Sequence, residues 1–207
     1  DFCLSRGLGD VYKRQIMAYN IKDVFYLSTN VTLDKTTAGA GSAQLDLSAY
    51  IDPIARGRTK GVGLAIYKTH WAITTQDSNS KPIDDAESGT FCFGLVAGAG
   101  VGDKATGALA NLDSDEFSMT NSLLVSSGQY YGPKSMVSNA STPATGFRVW
   151  VSPSEEVPYV IVRDNACLMY QIGENMIDET TISLRLECAQ ITLDQATLNQ
   201  LLRTQTV

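Results

Sequence analysis

The sequence predicts an all-β fold, in which two packed antiparallel sheets form a jelly roll of about eight strands with a short C-terminal helix. Residues 181–188 alternate polar and apolar side chains over eight positions, which is the two-residue period of a half-buried strand. Similar short strands recur along the chain between turn-forming residues. Charged residues make up only 18% of the chain, which is closer to the composition of sandwiches and barrels than to that of helical proteins.

The alternating segment near the C-terminus closes the fold. Its apolar positions, which we expect to face the core, are Ile182, Leu184, Leu186 and Cys188. Only a short tail follows this strand, so its pairing partners must lie earlier in the chain. A last strand that returns to an early one favours a jelly roll.

The first half of the chain contains several earlier strands. Short strands are predicted at 24–27, 31–33 and 45–51, and alternation at 90–97 predicts another. The longest β pattern covers 61–75. Its apolar positions change phase partway, from Val62, Leu64 and Ile66 to Tyr67, Trp71 and Ile73. A change of phase within one strand indicates a β-bulge or a bend between sheets.

The second half adds further strands and then changes period. Weaker strand patterns lie at 117–125 and 130–137, and residues 147–151 alternate clearly. Residues 157–162 and 166–172 are typical of a hairpin that turns at Asp164 and Asn165. The tail then has a capping box from Thr192 to Gln195 and leucines spaced three and four apart, which predicts a helix over 193–203. We expect this helix to plug one end of the sandwich or to dock on a neighbour.

The N-terminal segment does not have the character of a protein sequence. Residues 5–15 read Ser-Arg-Gly-Leu-Gly-Asp-Val-Tyr-Lys-Arg-Gln, and all eleven resemble the in-frame translation of a transposon sequencing adaptor. We therefore treat 1–15 as an artefactual leader and 16–207 as a single domain, with Met17 as a plausible natural start. The alternative is a genuine basic arm.

Charge and cysteine content narrow the class of protein. The chain has 16 Lys and Arg against 22 Asp and Glu, a formal charge of −6; without the leader the numbers are 13 and 20, or −7. A surface of this sign repels nucleic acid and anionic lipid.

Outside the leader there are three cysteines, an odd number in apolar segments, which we interpret as buried thiols. Residues 17–22 lack the apolar region of a signal peptide, so we expect synthesis in the host cytoplasm without secretion by such a peptide.

The sequence contains no motif that indicates enzyme activity. His70 is the only histidine, and a metal site of the cupin kind needs several histidines with a carboxylate. The glycine-rich loop at 98–104 lacks the Gly-Lys-Ser/Thr ending and the following helix of a phosphate-binding loop. We therefore expect no enzyme activity, no cofactor and no small-molecule substrate, and a structural or surface role for His70.

One acidic loop is a weak candidate for a metal site. Asp113, Asp115 and Glu116 place oxygen ligands close together, as calcium loops do. However, Glu116 stands where an EF-hand loop requires glycine, so the loop is not an EF-hand. A cation site between subunits stays open as an alternative to a solvated acidic loop.

One basic turn is a weak candidate for nucleic-acid contact. Arg56, Arg58 and Lys60 are the densest basic group outside the leader. Three charges without interleaved aromatic residues give little affinity at physiological salt. A solvated turn is the simpler interpretation.

Strand number, size and the closing strand resemble the single jelly-roll coat proteins of small icosahedral viruses, over residues 24–193. The resemblance implies a capsid subunit of a virion that self-assembles into a homo-oligomeric shell, alone or with other coat proteins, and the adaptor-like leader suggests an uncultured virus. The alternative is a carbohydrate- or receptor-binding β-sandwich, such as a spike, fibre or lectin-like module. Before the first strand, Lys22 is the only basic residue after the leader, so we expect indirect genome contact through a lipid layer, a basic protein or cations.

Overall fold

A computed structural model of the chain describes residues 23–33, 39–52, 60–75, 81–82, 89–98, 117–132, 146–176 and 178–205. This part of the chain forms ten strands and one short helix. In chain order they are β1 (Val24–Leu33), β2 (Ala40–Asp46), β3 (Lys60–Thr75), β4 (Lys81–Pro82), β5 (Thr90–Ala97), β6 (Leu124–Tyr131), β7 (Gly146–Val151), β8 (Tyr159–Ile161), β9 (Asn165–Glu174), β10 (Thr180–Asp194) and α1 (Gln195–Thr204).

The strands form two antiparallel sheets that pack face to face, which confirms the predicted all-β sandwich. Sheet A has the order β1-β10-β3-β4, and β8 also pairs with β3; sheet B has the order β2-β9-β5-β6-β7. Without the two-residue β4 and the edge strand β7, eight strands remain. When these eight strands are renumbered 1 to 8 in chain order, their order is 1-8-3-6 in sheet A and 2-7-4-5 in sheet B. Two facing four-stranded sheets connected in this way form a jelly roll.

β10 occupies the centre of sheet A, as expected for a closing strand that pairs non-locally. It pairs with β1 on one side and β3 on the other, both from the first part of the chain. The side chains on its inner face are buried, with exposed fractions of 0–1%: Ile182, Leu184, Leu186 and Cys188. Between the sheets they meet apolar residues of sheet B that include Leu95 and Leu168.

β3 contains the bulge that its change of phase predicts. Lys68 pairs with Glu187 and Ile66 pairs with Cys188, so Tyr67 is an extra residue in the ladder. On one side of the bulge Leu64 and Ile66 point inward. On the other side, Thr69 and Trp71 take the inward positions and His70 points outward.

The predicted strand at 45–51 is wrong in its position. β2 ends at Asp46, whose Oδ1 accepts a hydrogen bond from the Ser48 N–H at 2.9 Å and starts a turn. The Ile51 N–H donates to the Leu47 carbonyl at 3.2 Å, and both of these side chains are buried. Positions four apart lie on one side in a strand and in a helical turn, so the sequence pattern did not distinguish the two.

The predicted hairpin at 157–172 is also wrong. β8 pairs with β3 in sheet A, whereas β9 pairs with β2 and β5 in sheet B. Asp164 and Asn165 therefore lie at a crossing between sheets. Their carbonyl groups accept hydrogen bonds from the N–H groups of Leu47 and Gly98. Both segments are apolar, and a local pattern carries no information about which sheet each strand joins.

A turn segment at 117–123 covers part of the outer face of sheet B, where the sequence predicted a strand to begin. Phe117 packs there against outward-facing residues of β5 and β9. The covered cluster includes Val96, Leu124, Cys167 and Met169. Sheet B is therefore apolar on both of its faces in this region.

Helix α1 closes one end of the sandwich. It begins two residues later than predicted, because β10 extends to Asp194, whose side chain accepts a hydrogen bond from the Thr197 N–H at 3.3 Å. Leu198 is fully buried and packs over Gly61. After the helix, the buried side chain of Gln205 accepts from the Val162 N–H at 3.2 Å and donates to the Val160 carbonyl at 2.7 Å. The helix end is thereby fixed to the short strand β8.

Candidate functional site

The outer face of sheet A carries an open depression of about 730 Å³ across β1, β10 and β3. The inner positions of β10 are buried and those of β1 are partly buried, so the alternate side chains point outward into the depression. Its polar and aromatic lining comes from all three strands and includes Tyr26, Asn30, His70, Ser183, Arg185 and Glu187. These residues are distant in sequence, and only the register of the three strands brings them together.

His70 and Glu187 form an ion-pair geometry within the depression. His70 Nε2 lies 2.7 Å from Glu187 Oε1. An ionised carboxylate only accepts hydrogen bonds, so Nε2 carries the proton and Nδ1 is left to face other groups. The His70 side chain is 43% exposed and that of Glu187 is 22% exposed. The single histidine is thus a surface residue, one of the two roles that the sequence left open for it.

Arg185 and Tyr26 form a second pair beside the first. The guanidinium carbon of Arg185 lies 5.8 Å from the centre of the Tyr26 ring, a cation–π distance. Tyr26 is 61% exposed, so much of its ring remains accessible. Among the described residues, no carboxylate lies within 4 Å of the Arg185 guanidinium. The depression therefore presents a positioned cation, an exposed aromatic ring and a carboxylate that already has a partner.

A hydroxyl network connects the two sheets near β7. Trp71 Nε1 donates to Ser126 Oγ at 3.1 Å, and Ser126 Oγ donates to the Val151 carbonyl at 2.8 Å. Thr69 Oγ1 lies 3.0 Å from the hydroxyl oxygens of both Ser126 and Ser152. These bonds satisfy polar groups in an otherwise apolar interior and fix β3 against sheet B.

β7 is an edge strand with unusual exposure of large apolar side chains. In the described part of the chain it pairs only with β6. Phe147 is 45% exposed, Val149 36% and Trp150 39%, although Phe147 also stacks on Phe93 at 5.4 Å. Trp150 is the extra residue of a bulge, because Val149 pairs with Gly128 and Val151 pairs with Ser127. An apolar edge strand of this kind is a surface prone to association.

Five of the six charged site residues predicted from sequence lie outside the described part of the chain. Of the basic turn, Lys60 is exposed at the start of β3, and Arg56 and Arg58 lie outside the described residues. The candidate metal ligands Asp113, Asp115 and Glu116 also lie outside them, as does the leader. In the part of the chain that the structure describes, no group of three or more His, Cys, Asp or Glu residues is placed to hold a metal ion.

Two thiols differ in their surroundings. Cys188 is fully buried on the inner face of sheet A, and burial raises the pKa of its thiol to about 11. Cys92, on the outer face of sheet B, is partly buried, and burial raises its pKa as well. A raised thiol pKa lowers the thiolate fraction at neutral pH, so neither environment activates a nucleophile.

Sequence reasoning missed the depression on sheet A. Arg185 and Glu187 alternate with the buried residues of β10, which shows that they face outward. Tyr26 carries the same signal in the alternation of β1. The missing information was the register, which places Tyr26 opposite Glu187 and His70 opposite Arg185. A strand's own sequence does not specify its partner.

Comparison with known proteins gives no family for this chain. Neither models of protein families, nor curated proteins, nor solved structures match the chain.

In the described part of the chain, no helix is both long and apolar enough to cross a bilayer.

Proposed function

We propose that this protein is a viral structural protein, a capsid subunit that self-assembles into a homo-oligomeric shell within the virion. The observation that carries the proposal is the strand order, 1-8-3-6 facing 2-7-4-5, which is that of a jelly roll. Jelly rolls recur in viral capsid proteins, in lectins and in cupins. The sequence has a single histidine, which disfavours the metal chemistry of cupins. The assignment to a virus is an argument by analogy of fold.

The apolar edge of sheet B supports assembly as the role of the fold. Phe147, Val149 and Trp150 expose apolar area on a strand that leaves one edge unpaired in the described part of the chain. Natural proteins usually protect such an edge with charge, proline or a covering segment. A second subunit, or another coat protein, would bury this area in a shell.

The charge of the chain supports indirect contact with the genome. A formal charge of −6 opposes the binding of phosphates, and Lys60 is the described member of the predicted basic turn. A lipid layer, a separate basic protein or cations would then lie between shell and genome.

A second candidate function is favoured by the depression on sheet A. An open polar surface with an exposed tyrosine suits a carbohydrate- or receptor-binding module, such as a spike, fibre or lectin-like domain. The two functions differ in their oligomeric state.

Size-exclusion chromatography and electron microscopy of the full chain test the first proposal. We expect shell-sized particles, and we expect Trp150→Glu to prevent them by placing a charge on the apolar edge. Val157→Glu is the matched control, because Val157 is 73% exposed outside any strand and should tolerate the same charge. A wild-type chain that stays monomeric to trimeric at all concentrations would favour the second function.

Filter binding tests the contact with the genome. The full chain and a chain that begins at Met17, which keeps every described residue, are compared at physiological salt with single- and double-stranded DNA and RNA. We expect no saturable binding by the shorter chain. Sub-micromolar, salt-sensitive binding would contradict indirect contact and would direct attention to Arg56, Arg58 and Lys60.

A further inference from the structure

We propose that the depression on the outer face of sheet A is a binding site for a saccharide unit that carries a carboxylate. The inference deepens the second candidate function, the carbohydrate-binding module, on which it rests, and it does not depend on assembly. It goes beyond the assembly role by giving this face a ligand.

Arg185 is the group that would hold the carboxylate. Its guanidinium lies over the Tyr26 ring at a cation–π distance, with 5.8 Å from the guanidinium carbon to the ring centre. A guanidinium carries five N–H donors in a planar fork, and a cation–π contact does not take the place of hydrogen bonds from that fork to an anion. A carboxylate accepts two parallel hydrogen bonds from such a fork. The contact with the ring favours this position of the cation before any ligand arrives, and such preorganisation lowers the entropy lost on binding.

Glu187 would otherwise compete for the same cation, since both residues lie on β10 and line the depression. Instead, its Oε1 lies 2.7 Å from His70 Nε2. The histidine thus occupies one oxygen of the Glu187 carboxylate. Within the described residues Arg185 therefore has no acidic partner, on a chain whose formal charge is −6. A cation in this position favours an anionic group over a neutral one.

The remaining lining suits sugar hydroxyls rather than an apolar molecule. Ser28, Asn30 and Ser183 supply short polar side chains around the charged pair. His70 Nδ1, which the bond to Glu187 leaves available, adds a ring nitrogen that accepts a hydrogen bond in neutral imidazole and donates one in imidazolium. Tyr26, at 61% exposure, offers ring surface for the C–H face of a pyranose. An apolar ligand would instead require the enclosed, largely hydrophobic pocket that is typical of such sites.

Saturation-transfer NMR titration of the full chain tests the proposal, and it works for a single subunit or a particle. The probes are methyl α-glucuronide and methyl α-glucoside, which differ only in a carboxylate in place of a hydroxymethyl group. We expect the glucuronide to bind at least about tenfold more tightly, as a charge-assisted hydrogen-bond pair implies. Arg185→Lys keeps the charge but loses the fork, and should weaken glucuronide binding by about tenfold without changing glucoside binding.

Controls separate a specific site from general effects of charge and folding. Arg203→Gln removes one positive charge from the exposed last turn of α1 and should leave both titrations unchanged. Tyr26→Ala should weaken both sugars, because it removes the ring surface and the support of Arg185. The proposal is overturned if the two sugars bind equally, if Arg185→Lys binds the glucuronide as well as wild type does, or if inorganic sulfate displaces the glucuronide at an equal concentration. A failure to assemble has no bearing on this result, since the titration measures binding to a subunit.

Discussion

The outer faces of the two sheets differ in polarity and in how far they are covered. On sheet A the outer face is polar and open, and its strands β1 and β10 alternate between buried and accessible residues. On sheet B the outer face is partly covered by residues 117–123, and β5 and β9 are buried almost throughout. A strand needs alternation only where one face meets water, and a strand covered on both faces becomes continuously apolar. The pattern of apolar residues in each strand therefore indicates whether one face or both faces of its sheet are covered.

The edges of the two sheets also differ: an edge of sheet A has its backbone groups satisfied by a side chain, whereas an edge of sheet B is exposed and apolar. In sheet A, the short strand β8 has its Val160 carbonyl and Val162 N–H satisfied by the buried amide of Gln205. A primary amide has one acceptor and one donor group, as a peptide unit does, so Gln205 completes this edge. In sheet B, β7 leaves its edge unpaired within the described residues and exposes Trp150. Sheet A thus presents an open polar face, and sheet B presents an exposed apolar edge.

The largest expected effect separates the inner from the outer face of β10. Leu184 is 1% exposed, so Leu184→Asp buries an unpaired carboxylate and removes apolar contacts, at a cost of about 4 kcal/mol or more. Arg185 is the neighbouring residue on the exposed face, and Arg185→Ser should cost less than about 1 kcal/mol. Urea unfolding measures both variants. Similar midpoints would mean that the two faces of sheet A do not differ as described.

The next effect tests the cover over sheet B. Phe117 is 9% exposed and lies against Gly94 of β5, so Phe117→Ala should cost about 3 kcal/mol through lost packing. It should also speed the alkylation of Cys92 in the native protein, since that thiol lies beneath the same cover. Met119→Ala is the control, because Met119 is 71% exposed in the same segment and should change stability by less than about 0.5 kcal/mol. Equal effects of the two substitutions would show that the segment does not protect the sheet.

A smaller effect tests the closed edge of sheet A. Gln205→Glu keeps the shape but cannot donate to the Val160 carbonyl while it is ionised, so it should cost about 2 kcal/mol at pH 7. The loss should shrink as the pH falls through the carboxyl pKa of the variant, because the protonated acid donates again. Gln195→Glu, in the exposed first turn of α1, is the matched control and should have little effect. A cost at Gln205 that does not depend on pH would argue against the donor role.

Much of the fold could be predicted because it is recorded in local periodicity. The closing strand, β5 and the bulge at Tyr67 each follow from a two-residue pattern or from a break in it. The segment at 45–51 could not be distinguished, since Leu47 and Ile51 are four positions apart and fit a strand and a helical turn equally. The supposed hairpin failed for a different reason: its two strands belong to different sheets.

The candidate site was harder to predict than the fold. Alternation showed that Arg185 faces water, but not that Tyr26 and His70 lie beside it. Their convergence depends on the register of three strands, two of which come from opposite ends of the chain. The hydroxyl bonds from Thr69 to Ser126 and Ser152 depend on the contact between sheets in the same way. Polar residues within strands gain their roles from neighbours that sequence spacing does not reveal.

The smallest expected effect is on the pH dependence of stability at two thiols, Cys188 between the sheets and Cys92 beneath residues 117–123. Burial raises the pKa of Cys188 from 9.0 to about 11, so the folded state holds the thiol proton more tightly than the unfolded state does. The stability that this provides is fully present below pH 9 and is lost as the pH rises towards 11. Urea unfolding of wild type and Cys188→Ala should therefore differ by an amount that falls between these pH values, by a change on the order of 1 kcal/mol. Cys92→Ala, at the partly buried thiol on sheet B, should show a smaller change. If the Cys188 difference stayed constant from pH 8 to 11, the thiol would not be as well shielded from water as the position of β10 between the sheets requires.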